Sequence, residues 1–197
     1  MYLYGASGHA KVIAEILIEN GIEIEGVFDD DSSITDFFNL PFLGAFNNDT
    51  LQENLIICIG DNFTRKTLAQ KLFVKFGLVI SKYANISTSV SIEEGTVVMK
   101  GVSVNADTVI GKHVILNTNC SIDHDCKIGD FVHISPNVAL AGNVTVREGA
   151  HIGIGACVLP GVTIGKWATI GAGTVVLKDV PDKVVVVGNP GRIIKYK

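Results

Sequence analysis

From Ile80 to Val176 every sixth residue is Ile, Leu or Val, seventeen positions without a break. Four residues after each one, from Ala84 to Thr174, stands Ala, Val, Thr or Cys. Glycine follows the aliphatic residue directly at Gly111, Gly129, Gly153, Gly165 and Gly171. A helix repeats every 3.6 residues and a strand every 2, so neither accounts for six. Short parallel strands winding into a solenoid do.

The pattern resembles the left-handed parallel β-helix, in which three hexapeptides make one triangular coil of 18 residues and whose crossovers run against the usual right-handed rule. On that resemblance Ile80–Val176 makes a little over five coils, and at about 4.8 Å per coil the prism is about 25 Å tall. It predicts an all-β solenoid over residues 80–180. Residues 1–79 read differently. Tyr2-Leu3-Tyr4, Ile24–Phe28 and Leu55–Ile59 read as strands. Val12, Ile13, Ile16 and Leu17 have helical spacing over residues 10–20, and residues 63–76 also read as a helix. Alternating strands and helices imply a small parallel, Rossmann-like α/β domain. The tail, residues 181–197, leaves the repeat, and its Gly188-Asn189-Pro190-Gly191 is expected to stop regular structure.

Composition narrows the function classes. Hydrophobic residues are 47% and charged residues 18%, which excludes disorder. With a net charge of −4 and no basic cluster, nucleic acid is not an expected partner. No apolar run approaches the roughly 20 residues of a membrane span. The first residues lack the basic and apolar regions of a signal peptide. Cys58, Cys120, Cys126 and Cys157 have no CxxC spacing, and core thiols in a reducing cytoplasm are the expectation.

Three places carry candidate chemistry. In open α/β sheets ligands lie at the carboxyl ends of the strands. Here those ends hold Gly5-Ala6-Ser7-Gly8-His9, Asp29-Asp30-Asp31 and Gly60-Asp61-Asn62. Gly5-x-x-Gly8 before a helix offers backbone N–H groups to a phosphate, and the acids offer acceptors to ribose or base. An unliganded turn and a solvated acidic loop are the plain alternatives. His124 lies two residues past an aliphatic position, hence on the prism surface, with Gly142 one coil above it. An imidazole beside a bare backbone N–H suits acyl transfer, with Asp125 placed to hold the tautomer. His133 and His151 also stack one coil apart, on another side, but nothing in register completes a metal site. His113 and Trp167 read as exposed surface residues.

Tyr4–His9, Asp29-Asp30, Ile59–Asn62, Leu116–Asp125 and Ala141–Val144 together resemble one family. It is the sugar acetyltransferase family of the bacillosamine N-acetyltransferase and sialic acid O-acetyltransferase type. The resemblance spans essentially the whole chain. It implies a homotrimer with acetyl-CoA between neighbouring prisms and no metal. It implies His124 as general base, with Asp125, where a relative has Glu, as its partner. His133 falls near the thioester, Gly142 donates to the acetyl carbonyl, and Asn117 is a polar residue beside the base. Gly5, Ser7, Gly8, His9, Asp29, Asp30, Gly60 and Asp61 match the region holding a nucleotide-sugar. The cofactor is expected along the upper coils, past Asn143 toward Gly153, Ile154, Gly155, Gly171 and Gly173, with Lys178 and Arg192 as phosphate candidates. The activity implied is acetyl transfer from acetyl-CoA to a nucleotide-linked amino sugar, a UDP-4-amino-4,6-dideoxy sugar first. O-acetylation of a free sugar, or a non-catalytic or metal-binding solenoid, are the other readings.

Overall fold

The computed structural model describes residues 1–47, 51 and 53–197. Tyr2–Tyr4 forms β1, Gly8–Glu19 α1, Gly26–Phe28 β2, Phe42–Gly44 β3, Leu55–Ile57 β4 and Asn62–Lys71 α2. The four strands pair in parallel in the order β3-β2-β1-β4. β2 and β4 therefore flank β1 on opposite sides, which opens a crevice outside the carboxyl ends of β1 and β4. α1 buries Ala10, Ile13, Ala14, Ile16 and Leu17 on one stripe. α2 stops at Lys71, short of the expected residue 76. The chain beyond it is drawn out beside β4, through Leu55 N–H to Lys75 O and Gly77 N–H to Leu55 O. β3 was not expected from the sequence.

The solenoid runs as expected. Seventeen two-residue strands, β5 (Val79–Ile80) through β21 (Val175–Val176), recur every six residues. Up to Cys157–Val158 each stacks in parallel on the strand 18 residues on, as Ser121 on Ala139 and His133 on His151. The strands form three faces, of five, six and six strands, the last made eight-stranded by two strands of the tail. The aliphatic column from Val98 to Val176 is buried throughout. Ile80, Ile86 and Ile92, in the first coil, are only partly covered.

Each corner is turned by one residue in the left-handed region, with φ from +53° to +74°, at every sixth position from Gly95 to Gly173. Two edges of the prism use only Gly, Asn and Asp there, the residues that tolerate it. The third edge places His113, Phe131 and Trp167 at these positions, where bulky side chains are rare.

The glycine after the aliphatic residue answers to the coil above. A Cβ on Gly153 would stand 2.6 Å from Ile170 O and 2.7 Å from Ala172 N. Gly153→Ala is therefore expected to lower unfolding stability by about 1–3 kcal/mol, read as a shifted urea midpoint. An unchanged midpoint would mean the coils part easily.

The tail departs from expectation. Val184–Val187 (β22) and Arg192–Tyr196 (β23) form an antiparallel hairpin, and β22 extends the eight-stranded face beyond Thr169–Ile170. Val184 and Val186 are buried while Val185 and Val187 are half-covered, so the valine run caps the last coil. Gly188–Gly191 reverses the chain instead of ending its order. Among the described residues no helix is long and apolar enough to cross a membrane.

Candidate active site

His124 stands on the corner after Ser121–Ile122 (β12), where the six-stranded face meets the five-stranded one. Its side chain is 59% exposed, and its Nδ1 lies 2.7 Å from Asp125 Oδ2. A carboxylate there requires a donor, so Nδ1 carries the proton and Nε2 is left as the acceptor. The hydrogen bond to Asp125 raises the His124 pKa above its usual value, and the charge of Asp123 adds to it. Asp125 is a left-handed corner residue at φ +59°, which an Asp tolerates. Asp123 braces the turn, taking hydrogen bonds from His124 N–H (2.9 Å) and Asn105 Nδ2 (2.8 Å). Gly142 lies one coil up, directly under the imidazole. A Cβ added there would meet His124 Cε1 and Nε2, each at 2.8 Å. Among the described residues the Gly142 N–H has no hydrogen-bond acceptor. Asn143, next along, donates its N–H to His124 O at 2.9 Å. An acceptor nitrogen packed against a glycine whose N–H is unused is an arrangement suited to taking a proton beside a developing oxyanion.

The α/β domain gathers its candidates at the crevice. Gly5, at φ +109°, has Ile59 Cδ1 and the Cys58 backbone where a Cβ would stand. Ser7 precedes α1 in an extended conformation and caps it with no side-chain hydrogen bond. No atom within 4 Å would meet a Cβ on Gly8. Asp29 bridges the loops, accepting from Ala6 N–H at 2.7 Å and Asp31 N–H at 2.9 Å. Asp30 accepts from Tyr4 Oη at 2.6 Å. Asp61 caps α2 through Thr64 N–H at 2.8 Å, and that bond holds its carboxyl below the usual range.

A third group forms where the two domains meet. His133, on the eight-stranded face, hydrogen-bonds Gly60 O through Nδ1 (3.3 Å) and Asn117 Nδ2 through Nε2 (3.1 Å). Its ring stacks on His151 at 4.8 Å, and His9 lies 6.4 Å away. His151 Nε2 pairs with Ser135 Oγ at 3.0 Å. Burial pushes His133 down to about 3 and His9 to about 4, so both rings are neutral. His133 has both nitrogens engaged and offers none to a metal. Within one chain this cluster and the His124 corner are separate, so Asn117 sits beside His133 rather than beside the candidate base.

Gly155 and Gly173 have open space where a side chain would stand, whereas Gly153 and Gly171 are closed by the next coil and by Val187. Ile154, between them, is 52% exposed. These residues occupy the opposite edge of the six-stranded face from His124. Lys178 and Arg192 line one cavity of about 320 Å³ at the end of the prism. Three expectations are corrected. His113 is buried, stacked on Phe131 at 5.1 Å and edged by Phe76 at 4.5 Å. Trp167 is half-buried over Gly149, with Phe63 against its edge. Cys58, Cys120 and Cys126 are buried thiols, but Cys157 is exposed because it points outward from its strand. The sequence reading placed Asn62 only within the Gly60-Asp61-Asn62 strand end, as a ligand-side residue, and passed over Arg65. Their signal was the run of corner residues, Gly, Asn or Asp except at His113, Phe131 and Trp167.

A parallel solenoid behind a small α/β domain, with a histidine–carboxylate pair on a solenoid corner, defines a hexapeptide-repeat acyltransferase. The PglD N-terminal domain family matches residues 1–72. The bacterial transferase hexapeptide family (six repeats) matches residues 107–142 and 143–178. PerB from Caulobacter crescentus, solved with CoA and GDP-perosamine, is 39% identical, with a TM-score of 0.94 over 98% of this chain and 96% of that one. The acetyltransferase domain of PglB from Neisseria gonorrhoeae is 34% identical, with a TM-score of 0.90 over 98% of each chain. WeeI from Acinetobacter baumannii is 30% identical, with a TM-score of 0.90 over 98% of each. The chain belongs to this sugar acetyltransferase family. A curated relative, an uncharacterized protein of Acanthamoeba polyphaga mimivirus, is 38% identical over 95 residues, and the chain spans 19% of its length.

Proposed function

We propose that the chain transfers the acetyl group of acetyl-CoA to the amine of a nucleotide-linked amino sugar. The observation that carries this is the His124 corner, with its free Nε2 packed against Gly142, whose N–H is unused, on a chain 39% identical to a protein solved with CoA and GDP-perosamine. The sugar amine attacks the thioester carbonyl and its proton passes to His124 Nε2. The oxyanion meets the Gly142 N–H. The C–S bond then breaks and CoA leaves as the thiolate. Asp125 holds the ring throughout. The nucleotide diphosphate lies at the start of α1, where the Gly8, His9 and Ala10 N–H groups precede the first helical bond, Lys11 N–H to Ser7 O. Ser7 and Gly60 flank it, and Asp30 and Asp61 offer acceptors to the ribose and base. Gly155 and Gly173 leave room for the pantetheine arm, and Lys178 and Arg192 face the CoA phosphates. His133 and Asn117 stand on a different face from His124, so their part in the reaction calls for packing prisms as a homotrimer, each cleft lined by two subunits. The three buried thiols fit a cytoplasmic setting.

The test is thiol release from acetyl-CoA with a panel of UDP-, GDP- and dTDP-linked 4-amino sugars and free sialic acid. Release with a nucleotide amino sugar supports the reading. Release with sialic acid alone would replace it by O-acetylation. Gly8→Val is expected to raise KM for the nucleotide-sugar about 10- to 100-fold, the loss of one or two hydrogen bonds to a charged group, with KM for acetyl-CoA unchanged. The position is exposed and a Cβ there meets nothing, so the fold is expected to tolerate the change. Asp29→Ala acts less cleanly, since Asp29 also holds the Gly5–Ser7 loop. Equal changes in both KM values would make the α/β domain a structural cap.

A further inference from the structure

On one edge of the prism the corner residues are His113, Phe131, Gly149 and Trp167, each 18 residues from the last. Their N–H groups belong to the ladder, His113 to Glu94 O at 2.9 Å, Phe131 to Lys112 O at 2.8 Å and Gly149 to Asp130 O at 2.9 Å. Their carbonyls have no backbone partner among the described residues. The edge thus presents a column of free acceptors. Two side chains of the α/β domain meet it. Arg65 Nε donates to His113 O at 2.8 Å, and one terminal nitrogen donates to Phe131 O at 3.0 Å. Its other terminal nitrogen holds Ile59 O at 3.0 Å and Gly60 O at 3.2 Å. Asn62 Nδ2 donates to Gly149 O and Ala150 O, both at 3.1 Å, and its Oδ1 accepts from Arg65 at 2.9 Å. Lys197 Nζ continues the column at Trp167 O, 3.0 Å.

Arg65 is 1% exposed, and among the described residues no carboxylate hydrogen-bonds it. A buried cation is costly unless its donors are satisfied. Here carbonyl dipoles satisfy them, and only a planar fork reaches acceptors in several directions at once. The segment so fixed, Ile59–Asn62, is the loop at the carboxyl end of β4, and its Gly60 carbonyl is also held by His133.

We propose that Arg65, seconded by Asn62, is a positioning residue for acetyl transfer, setting the acceptor-side loop Ile59–Asn62 against successive coils of the solenoid. The kinetic part of this rests on the proposed function. The structural part does not. Around Arg65 the rings of His9, His113, His133 and His151 are all lowered, chiefly by burial, with the Arg65 charge contributing to each. The cation thus also helps to keep the interface histidines neutral.

The experiment compares Arg65→Lys and Asn62→Ser with the wild-type chain by hydrogen–deuterium exchange, calorimetric CoA binding and steady-state kinetics. Arg65→Lys keeps the charge and loses the fork. Exchange in residues 58–62 is expected to speed about tenfold or more, with the six-stranded face unchanged. Turnover at saturating substrates falls about 10²-fold, the scale of a misplaced reactant. CoA affinity stays within about twofold, because its proposed contacts at Gly155, Gly173, Lys178 and Arg192 lie outside the loop. Asn62→Ser shows the same pattern more weakly and serves if the lysine variant folds poorly. Wild-type exchange in the loop, or loss of protection over the whole chain, overturns the inference. A wild-type chain inert toward every amino sugar overturns the proposed function, and the exchange comparison still decides this one.

Discussion

His124→Ala is expected to cut turnover about 10²–10⁴-fold, the usual worth of a general base. The side chain is 59% exposed, so its removal opens no cavity, and stability is expected to change by no more than about 0.5 kcal/mol. Near-normal kcat in a folded variant would remove His124 from the mechanism. The pH profile is a second check with a definite sign. A base acts when deprotonated, so kcat/KM rises with pH through the His124 pKa and levels above it. The hydrogen bond that His124 donates to Asp125 raises that pKa, which places the limb above the ordinary histidine value. Asp125→Asn keeps a residue that tolerates the φ of +59° but removes the carboxylate. The limb is expected to move to lower pH and the plateau to fall, by less than for His124→Ala. A limb that stays in place would show that Asp125 does not act on the base.

Gly142→Ala is expected to lower kcat about 10²-fold with the solenoid intact. The added Cβ would stand 2.8 Å from two ring atoms of His124, closer than real contacts allow. The backbone there is outside the left-handed region, so alanine brings no strain of its own. The imidazole is the movable partner. When it swings away, its 2.7 Å contact with Asp125 and its place over the Gly142 N–H are lost together. If that is the whole effect, adding Gly142→Ala to His124→Ala should cost nothing further, because the two act as one unit. A further loss in the double variant would mean that Gly142 acts apart from the ring, as an oxyanion donor whose N–H the methyl blocks. Unchanged kcat in the single variant would show that the ring does not work over Gly142.

Much of this protein was legible in its sequence because the repeat is local. A period of six with one aliphatic and one small residue determines strand, corner and inward face for each coil, and adding 18 places any residue above another. His124 over Gly142 and His133 over His151 come from that arithmetic alone, and the structure has both. The Gly5–Gly8 turn and the acids at the strand ends were legible for the same reason, since each lies where a short strand must stop. The tail was misread because Pro and Gly mark a change of direction and leave the next element open. Only the packing of Val184 and Val186 on the last coil makes it a hairpin. His113 and Trp167 were misread because an outward position on a prism is exposed only if nothing covers that edge. Whether α2 covers it depends on contacts between residues about 50 to 100 positions apart, Arg65 to His113 and Phe63 to Trp167 among them. The same distance hid Arg65. A lone arginine in a helix has no sequence pattern of its own, and its partners are backbone carbonyls, which every residue carries. The repeat and its register were thus determined by the sequence alone. The seating of one domain on the other was decided only in three dimensions, where free carbonyls, strained aromatic corners and a buried cation come within reach of each other.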